Sequence, residues 1–409
     1  MTVGIIGGGA AGLIAAVEAA RRGASVTLFE RRPRVGKKLS ATGNGRCNIT
    51  NTQAAPRNYH GVSGDGANTA FIGAVLGAFT PADTAAFFRG LGLRLTEEDG
   101  GRVYPCSSMA GSVIDVLRFA ADALGVETVT DTEILSALRD KKGFTLRAEA
   151  GSRHFDRLII ACGGKASPQL GGTDAGYRLL KGFGHTVTPL KAALVPLLAA
   201  DNATRALKGI RAEAGVTVVA HGKTVAKTAG EVQFNDDGLS GIPVLDIART
   251  AADAKDAAAV FDYAPDETAS SLFDMLSARV DLCPSLTAAD LCTGLVQNRL
   301  GRVLVKSAGI AAETPLSALT EGDIRAVISQ IKAHTVPILR EAGFDRAQVT
   351  AGGAILKEFS PKDMQSKLVP GLFAAGEVLD CHGDCGGFNL QWAWATGALA
   401  GRAAAEEQQ

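Results

Sequence analysis

The chain has no net charge: 42 Lys and Arg balance 42 Asp and Glu over 409 residues. It therefore lacks the long-range field that gathers nucleic acid or anionic membrane, and no basic tract is interleaved with aromatics. Cysteine is sparse, with Cys47, Cys106, Cys162, Cys283, Cys292, Cys381 and Cys385 making an odd total. That spread argues against a disulfide framework and for a reducing compartment. Histidine is scarce too, and His60, His154, His185, His221, His334 and His382 form no acid–base constellation legible from spacing. No segment reaches the roughly 18 apolar residues of a membrane span. The uncharged opening from Val3 to Val17 has no basic residue before it and is rich in glycine, unlike a secretory leader. These absences lead to the expectation of a cytoplasmic protein acting on a small molecule, with no nucleic-acid and no membrane partner. The length implies two or three domains.

What is present is a glycine pattern at each end. Val3-Gly4-Ile5-Ile6 runs into Gly7-Gly8-Gly9-Ala10-Ala11-Gly12 and then into a strong helix former from Leu13 to Ala20. In this strand, GxGxxG, helix order, Gly7 serves a tight turn, Gly9 lets backbone approach a pyrophosphate, and Gly12 lets the helix close on the strand. The helix start, with Ala10 and Ala11 in its first turn, then offers free N–H groups and a positive dipole end to phosphate. The next strand-like run, Ala24 to Phe29, ends on Glu30, where a carboxylate can accept both ribose hydroxyls of an adenosine. A dinucleotide is the expected ligand.

Glu30 is followed by Arg31 and a polar, glycine-broken segment containing Lys38 and Asn44-Gly45-Arg46-Cys47-Asn48, which suits a loop over a long cofactor. The segments GKKLSATGNGRCNITN, IIACGGKASPQLGGTDAGY, DDGLSGIPVLDIAR and, from Val349 on, VTAGGAILKEFSPKDMQSKLVPGLFAAGEVLDCHGDCGGFNLQWAWATGALAG resemble the HI0933-like family, the YhiN or BaiN type of FAD-dependent oxidoreductase. The resemblance touches nearly the whole chain. It implies an α/β fold with a discontinuous, Rossmann-like FAD-binding domain of the glutathione-reductase type, interrupted by an inserted β-rich domain and a helical subdomain. The boundaries expected are 1–192 and 350–409 for the FAD part, 193–247 for the β-rich part and 248–349 for the helical part. Strands are expected within 215–220 and 224–234. Helices are expected over 270–280, 286–305 and 324–339, with Thr287 and Thr320 placed to cap.

The resemblance also implies cofactor contacts at Ile134 and at Gly163-Gly164, which closes the apolar run Asp156 to Cys162. It places Gly376 and Glu377 at a strand end beside the ribitol. Near the C-terminus, Gly386-Gly387 opens a helix through Phe388, Asn389, Leu390 and Gln391. This second helix mouth is expected to face the pyrimidine edge of the flavin, mostly with main-chain donors, with Asn389 the side chain nearest the ring. Its bland alternative is a glycine-initiated core helix packing Trp392 and Trp394.

Cys381 and Cys385 are spaced CxxxC, without the CxxC redox signature, and read as free thiols sooner than a dithiol or a zinc site. Cys47 reads as a loop residue sooner than a nucleophile. Arg46 suits a phosphate or an anionic substrate, against a plain loop salt bridge. No catalytic side chain and no metal ligand are assigned, which fits chemistry carried by the cofactor itself. The activity implied is NAD(P)H-linked reduction of a small organic substrate through FAD, with NAD(P)H a transient donor because no second strand–GxGxxG–helix unit exists. The alternatives are an FAD oxidase of a small amine producing H2O2 and, disfavoured by the neutral charge, an FAD protein acting on RNA.

Overall fold

The computed structural model describes residues 1–63, 65–199 and 201–406. The chain divides into two compact units, Met1–Ala192 with Gln348–Gln409, and Ala193–Ala347.

The first unit is built on a five-stranded sheet in the spatial order Leu372–Ala374, Arg157–Ile160, Thr2–Ile6, Ser25–Phe29, Glu127–Val129. All four pairings are parallel. The central strands are short aliphatic runs buried on both faces, among them Val3, Ile5, Val26, Leu28, Leu158 and Ile160, as a covered parallel sheet requires. From the first strand the chain moves outward through Ser25–Phe29 and Glu127–Val129, then returns to the other side for Arg157–Ile160 and Leu372–Ala374. The direction of winding reverses between Thr2–Ile6 and Arg157–Ile160, so a crevice for ligand opens at the carboxyl ends of those strands. Gly7, Ala161, Gly376 and Glu30 all lie just past such ends.

Helices Ala10–Ala20 and Phe388–Ala404 pack side by side against the sheet. A Cβ on Gly397 would lie 2.4 Å from the Ala11 carbonyl oxygen, and one on Gly401 2.3 Å from that of Ala15. The register 11 to 397 and 15 to 401 makes the two helices parallel, with both N-termini directed the same way. Glu18, buried in the first helix, accepts from Arg402 Nε at 2.6 Å and from Arg22 at 3.0 Å. Those guanidiniums hold its carboxyl below the usual range against the opposing effect of burial.

Asn68–Gly90 is, among the described residues, a stretch long and apolar enough to meet the length and composition of a membrane span, which corrects the expectation that none exists. It is two helices. Thr80 caps a new one at Pro81, and Phe71, Ile72, Val75, Phe79 and Phe88 are buried in the core of the first unit.

The second unit holds a closed six-stranded barrel, Leu197–Ala199, Gly238–Ser240, Lys223–Phe234, Arg211–Ala220, Ala258–Asp262 and His334–Glu341 in spatial order. The last two strands come from the 248–349 stretch expected as a helical subdomain, so β-rich and helical parts are interleaved in one unit. The helix expected over 324–339 ends at Ala333. Its continuation contains Thr335, Val336 and Pro337, and proline lacks the N–H that a helix interior needs. The helix expected over 286–305 begins only at Asn298: Gly294 sits at φ +85°, and Gln297 caps the true start by accepting from Arg299 and Leu300 N–H at 2.7 and 3.1 Å. Thr320 caps as expected, whereas Thr287 precedes only a single 3-10 turn and accepts no capping bond.

Candidate functional site

At the first helix mouth, Gly7 has φ +109°, and a Cβ there would lie 2.4 Å from the Ala161 oxygen of the neighbouring strand. A Cβ on Gly12 would lie 1.8 Å from the Gly7 oxygen, so only glycine lets turn and helix close. Gly9 is different: nothing stands within 4 Å of its missing Cβ, and the space before it is open. Gly9 caps the helix, no side chain accepts from the first N–H groups, and the first turn, Ala10 and Ala11 included, carries no acid. The result is an unneutralised positive helix end at the crevice.

The Glu30 carboxylate accepts from Gly8 N–H through Oε2 and from Arg32 N–H through Oε1, both at 2.9 Å. It braces the glycine turn as well as presenting its remaining lone pairs. Arg31 is committed to the Gly171 and Gly172 carbonyls at 2.9 and 3.0 Å. Ile134 is buried in the loop after Glu127–Val129.

Across the crevice, Lys38 Nζ meets Glu377 Oε2 at 2.8 Å, two residues far apart in sequence brought to the strand ends. Glu377 Oε1 accepts from Thr350 N–H at 2.8 Å. Gly163 has φ +70° with open space beside it, while a Cβ on Gly164 would lie 2.5 Å from both Glu377 Oε1 and Thr350 Oγ1. Gly376, at φ +77°, donates its N–H to Thr396 Oγ1 at 2.9 Å.

The second helix mouth opens on Gly386 and Gly387, at φ +128° and +98°. Gly387 is the cap, again without a side-chain acceptor or an acid in the first turn. A Cβ there would lie 2.6 Å from Thr50 O and 2.8 Å from Asn48 Oδ1. This helix is bolted to the 48–51 segment. Gln391, fully buried, accepts from Thr50 and Thr84 hydroxyls at 2.6 and 2.8 Å, Trp394 donates to Ile49 O at 2.8 Å, and Asn51 donates to Gly386 O at 2.9 Å. The Phe388 carbonyl accepts from Tyr59 OH at 3.0 Å, and Leu390 is half-buried. Asn48 Oδ1, beside the mouth, is buried and has no hydrogen-bond partner.

Other expected side chains are spent elsewhere. The Asn389 amide is tied back to the preceding hairpin: Oδ1 accepts from Gly383 N–H and Nδ2 donates to Gly383 O, both at 2.8 Å. Its side chain is a staple, not a ring contact. Arg46 pairs with Glu98 and lies over the Tyr104 ring, its guanidinium carbon 4.2 Å from the centroid, which is the loop salt bridge and not a free phosphate ligand. Asn44 and Gly45 are exposed at positive φ in the same loop. Burial pushes the Cys47 thiol up to about 12, so it holds no thiolate near neutral pH. Among the described residues neither Cys381 nor Cys385 is in a disulfide, and burial pushes the Cys381 thiol far above its usual range. Among the described residues no group of three or more His, Cys, Asp or Glu is arranged for a metal ion.

Two features escaped the sequence. One is the orphaned Asn48 oxygen. The other is a hydrogen bond 2.7 Å long between His60 Nε2 and Asp384 Oδ1, whose partners stand 324 positions apart with no spacing signal to join them.

A switch-point crevice in a parallel sheet, with a glycine-turn helix mouth on one side and an uncapped second helix mouth on the other, defines a Rossmann-type dinucleotide-binding flavoprotein. The chain belongs to the HI0933-like family, matching the HI0933-like protein Rossmann domain over residues 1–403. It is 38% identical, over 99% of both chains, to a 3-dehydro-bile acid delta(4,6)-reductase of Clostridium scindens. It is 30% identical to a ribosomal RNA dihydrouridine synthase of Escherichia coli, over 96% of this chain and 95% of that one. The fold is shared with a 3-ketosteroid delta1-dehydrogenase of Sterolibacterium denitrificans, at 14% identity, 99% coverage of both chains and a TM-score of 0.51. The chain is thus an FAD-dependent oxidoreductase. Its residues fit that cofactor. The open space at Gly9 admits a pyrophosphate, and the buried acceptor of Asn48 beside uncapped N–H donors matches a pyrimidine edge, which carries one N–H among carbonyl oxygens.

Proposed function

We propose that the chain is an NAD(P)H-linked reductase of a carbon–carbon double bond conjugated to a carbonyl. The observation that carries this reading is chemical: a 4,6-unsaturated 3-oxo steroid and the uracil ring share that bond type, and relatives named for each align along nearly the full chain. FAD, when bound, supplies the two-electron transfer. The chain's own residues then have distinct tasks in this reading. The Gly9 helix mouth receives the pyrophosphate, and Glu30 accepts from the ribose. Lys38 and Glu377 stand at the ribitol. The N–H groups opened by Gly387 stabilise negative charge on the pyrimidine edge, with Asn48 accepting from its N–H.

A small enone is the substrate that the neutral charge favours. Uridine in RNA is the second substrate, favoured by the two relatives named for ribosomal RNA and by an exposed stripe, Arg299, Arg302 and Lys306, on helix Asn298–Ser307, which has no acid. The test is anaerobic. NADH or NADPH should bleach the bound flavin, and 4-androstene-3,17-dione or a uridine-containing ribosomal RNA fragment should restore the colour with formation of the saturated product. Bleaching by small amines and not by NAD(P)H would overturn the reading in favour of an oxidase.

A further inference from the structure

Adding hydrogen across a conjugated C=C bond takes two unlike particles. A hydride enters at the carbon remote from the carbonyl, and the displaced π pair leaves an enolate, which must then take a proton at the carbon beside the carbonyl. FAD accounts for the hydride, and NAD(P)H for restoring it. The proton needs a donor, and Lys38, the cation among the residues assigned to the cofactor, is paired with Glu377 at 2.8 Å.

The segment feeding the second helix mouth, 380–387, carries Asp380, Cys381, His382, Asp384 and Cys385, and Tyr59 and His60 pair with it. Asp380 is fully buried and accepts from Val62 and Ser63 N–H at 2.9 and 2.8 Å. Cys381 is buried with its thiol pushed up. Tyr59 spends its hydroxyl on Phe388 O. His382 is buried, its ring centroid 5.5 Å from that of His60. Cys385 is half-buried beside the first glycine of the mouth. His60 differs from all of these, being accessible, with 41% of its side chain exposed, yet rigidly placed. Backbone pairing of Tyr59–His60 with His382–Gly383 fixes its strand to the segment. Its Nε2 meets Asp384 Oδ1 at 2.7 Å, and Asn58 Nδ2 donates to the other carboxylate oxygen at 3.2 Å. A carboxylate only accepts, so Nε2 carries the hydrogen and Nδ1 is the nitrogen that takes up and gives a proton. Asp384 is in turn held to the helix: its backbone carbonyl accepts from Asn389 Nδ2 at 3.2 Å, one residue into the first turn. The arrangement is an imidazole oriented by a carboxylate, Asp384, that stands two residues ahead of the glycine pair, and the exposed ring has a path to solvent for reprotonation.

We propose that His60, oriented by Asp384, is the proton donor of the reduction. The inference rests on the proposed function. In each turnover the His60 imidazolium gives its proton to the enolate carbon and the neutral ring is reprotonated from water, so hydride and proton together account for the two hydrogens gained.

The test separates the two half-reactions in FAD-loaded protein. In His60→Ala, FAD content and anaerobic bleaching by NADPH should match the wild type. Reoxidation by 4-androstene-3,17-dione or the ribosomal RNA fragment should slow by about 10²- to 10⁴-fold, the range for loss of a general acid. Imidazole in the medium should restore part of the rate. Asp384→Asn should slow the same half-reaction less. Independently of turnover, adding FAD to apoprotein labelled in its histidine rings should shift the His60 NMR signals, and no shift would place the ring away from the cofactor and overturn the proposal. Equal reoxidation of wild type and His60→Ala overturns it too, as does a loss of FAD content or bleaching with no imidazole rescue, which would mark a structural role. A wild-type enzyme that neither acceptor reoxidises overturns the proposed function itself, and this inference with it.

Discussion

Asn48 shows what a single unsatisfied atom says about a missing partner. A buried carbonyl oxygen without a donor costs about 1–3 kcal/mol, and it stands at the mouth of a helix that has no capping acceptor of its own. Asn48→Leu should therefore weaken FAD about tenfold or more while leaving the apoprotein no less stable; FAD titration and thermal unfolding of the apoprotein measure the two halves. Equal loss of stability with and without FAD would mean that Asn48 serves the protein alone. Glu30 behaves differently. Because its carboxylate also holds Gly8 and Arg32 N–H, Glu30→Ala should lower FAD affinity about ten- to a hundredfold and loosen the glycine turn as well, read as faster amide exchange at Gly8. The turn glycines and the place of Glu30 just past a strand end were legible in the sequence because their reason is local. The Lys38–Glu377 and His60–Asp384 pairs and the orphaned Asn48 oxygen were not, since each depends on a partner more than 300 positions away or on an atom left without one.

Elements follow the same division. Short aliphatic strands and helices entered through glycine or a Thr-x-x-Asp box can be read from the text, and Thr320 is such a case. The strand His334–Glu341 could not, because its apolar spacing imitates a helix until Pro337 is weighed, and its burial comes from barrel partners distant in sequence. The packed pair of helices gives the sharpest test. A methyl at Gly397 meets the Ala11 carbonyl at 2.4 Å, with no flexible side chain there to yield. Gly397→Ala should cost about 1–3 kcal/mol by overpacking and should shift the glycine turn that Ala11 follows, so FAD affinity falls together with the denaturation midpoint. Gly77→Ala, where the added methyl meets nothing within 4 Å, is the control and should leave both within about 0.5 kcal/mol.

At the scale of the whole molecule, each unit buries a neutral histidine. In the first, His185 lies between Glu358 and Ser366, 2.8 Å from each. Ser366 Oγ accepts from Leu368 and Val369 N–H, so it donates to His185 Nε2, and Nδ1–H points at Glu358. Burial lowers the His185 pKa, although Glu358 pulls the other way. In the second unit burial likewise lowers that of His334, which sits 2.9 Å from the Tyr263 hydroxyl. Below about pH 6.5 the unfolded chain binds protons that these two rings refuse, so their stability is whole above that pH and is lost as pH falls toward the depressed folded values. Glu358, held low in the folded state by its Thr186 and His185 bonds, adds a further loss as pH drops through the carboxylate range. Denaturation midpoints measured from pH 8 to 5 should decline, and His334→Gln should flatten the decline for the barrel unit alone. The same division of the chain has a consequence in time. The crevice needs strand Leu372–Ala374 and helix Phe388–Ala404, which the ribosome makes only after all 155 residues of Ala193–Ala347 have followed Met1–Ala192. At about 5–20 residues per second, the earlier portion waits on the order of ten seconds or more with the apolar flank of its first helix uncovered. Cofactor capture is therefore a late event of biosynthesis, and a nascent chain halted before residue 372 should be held by chaperones and carry no flavin.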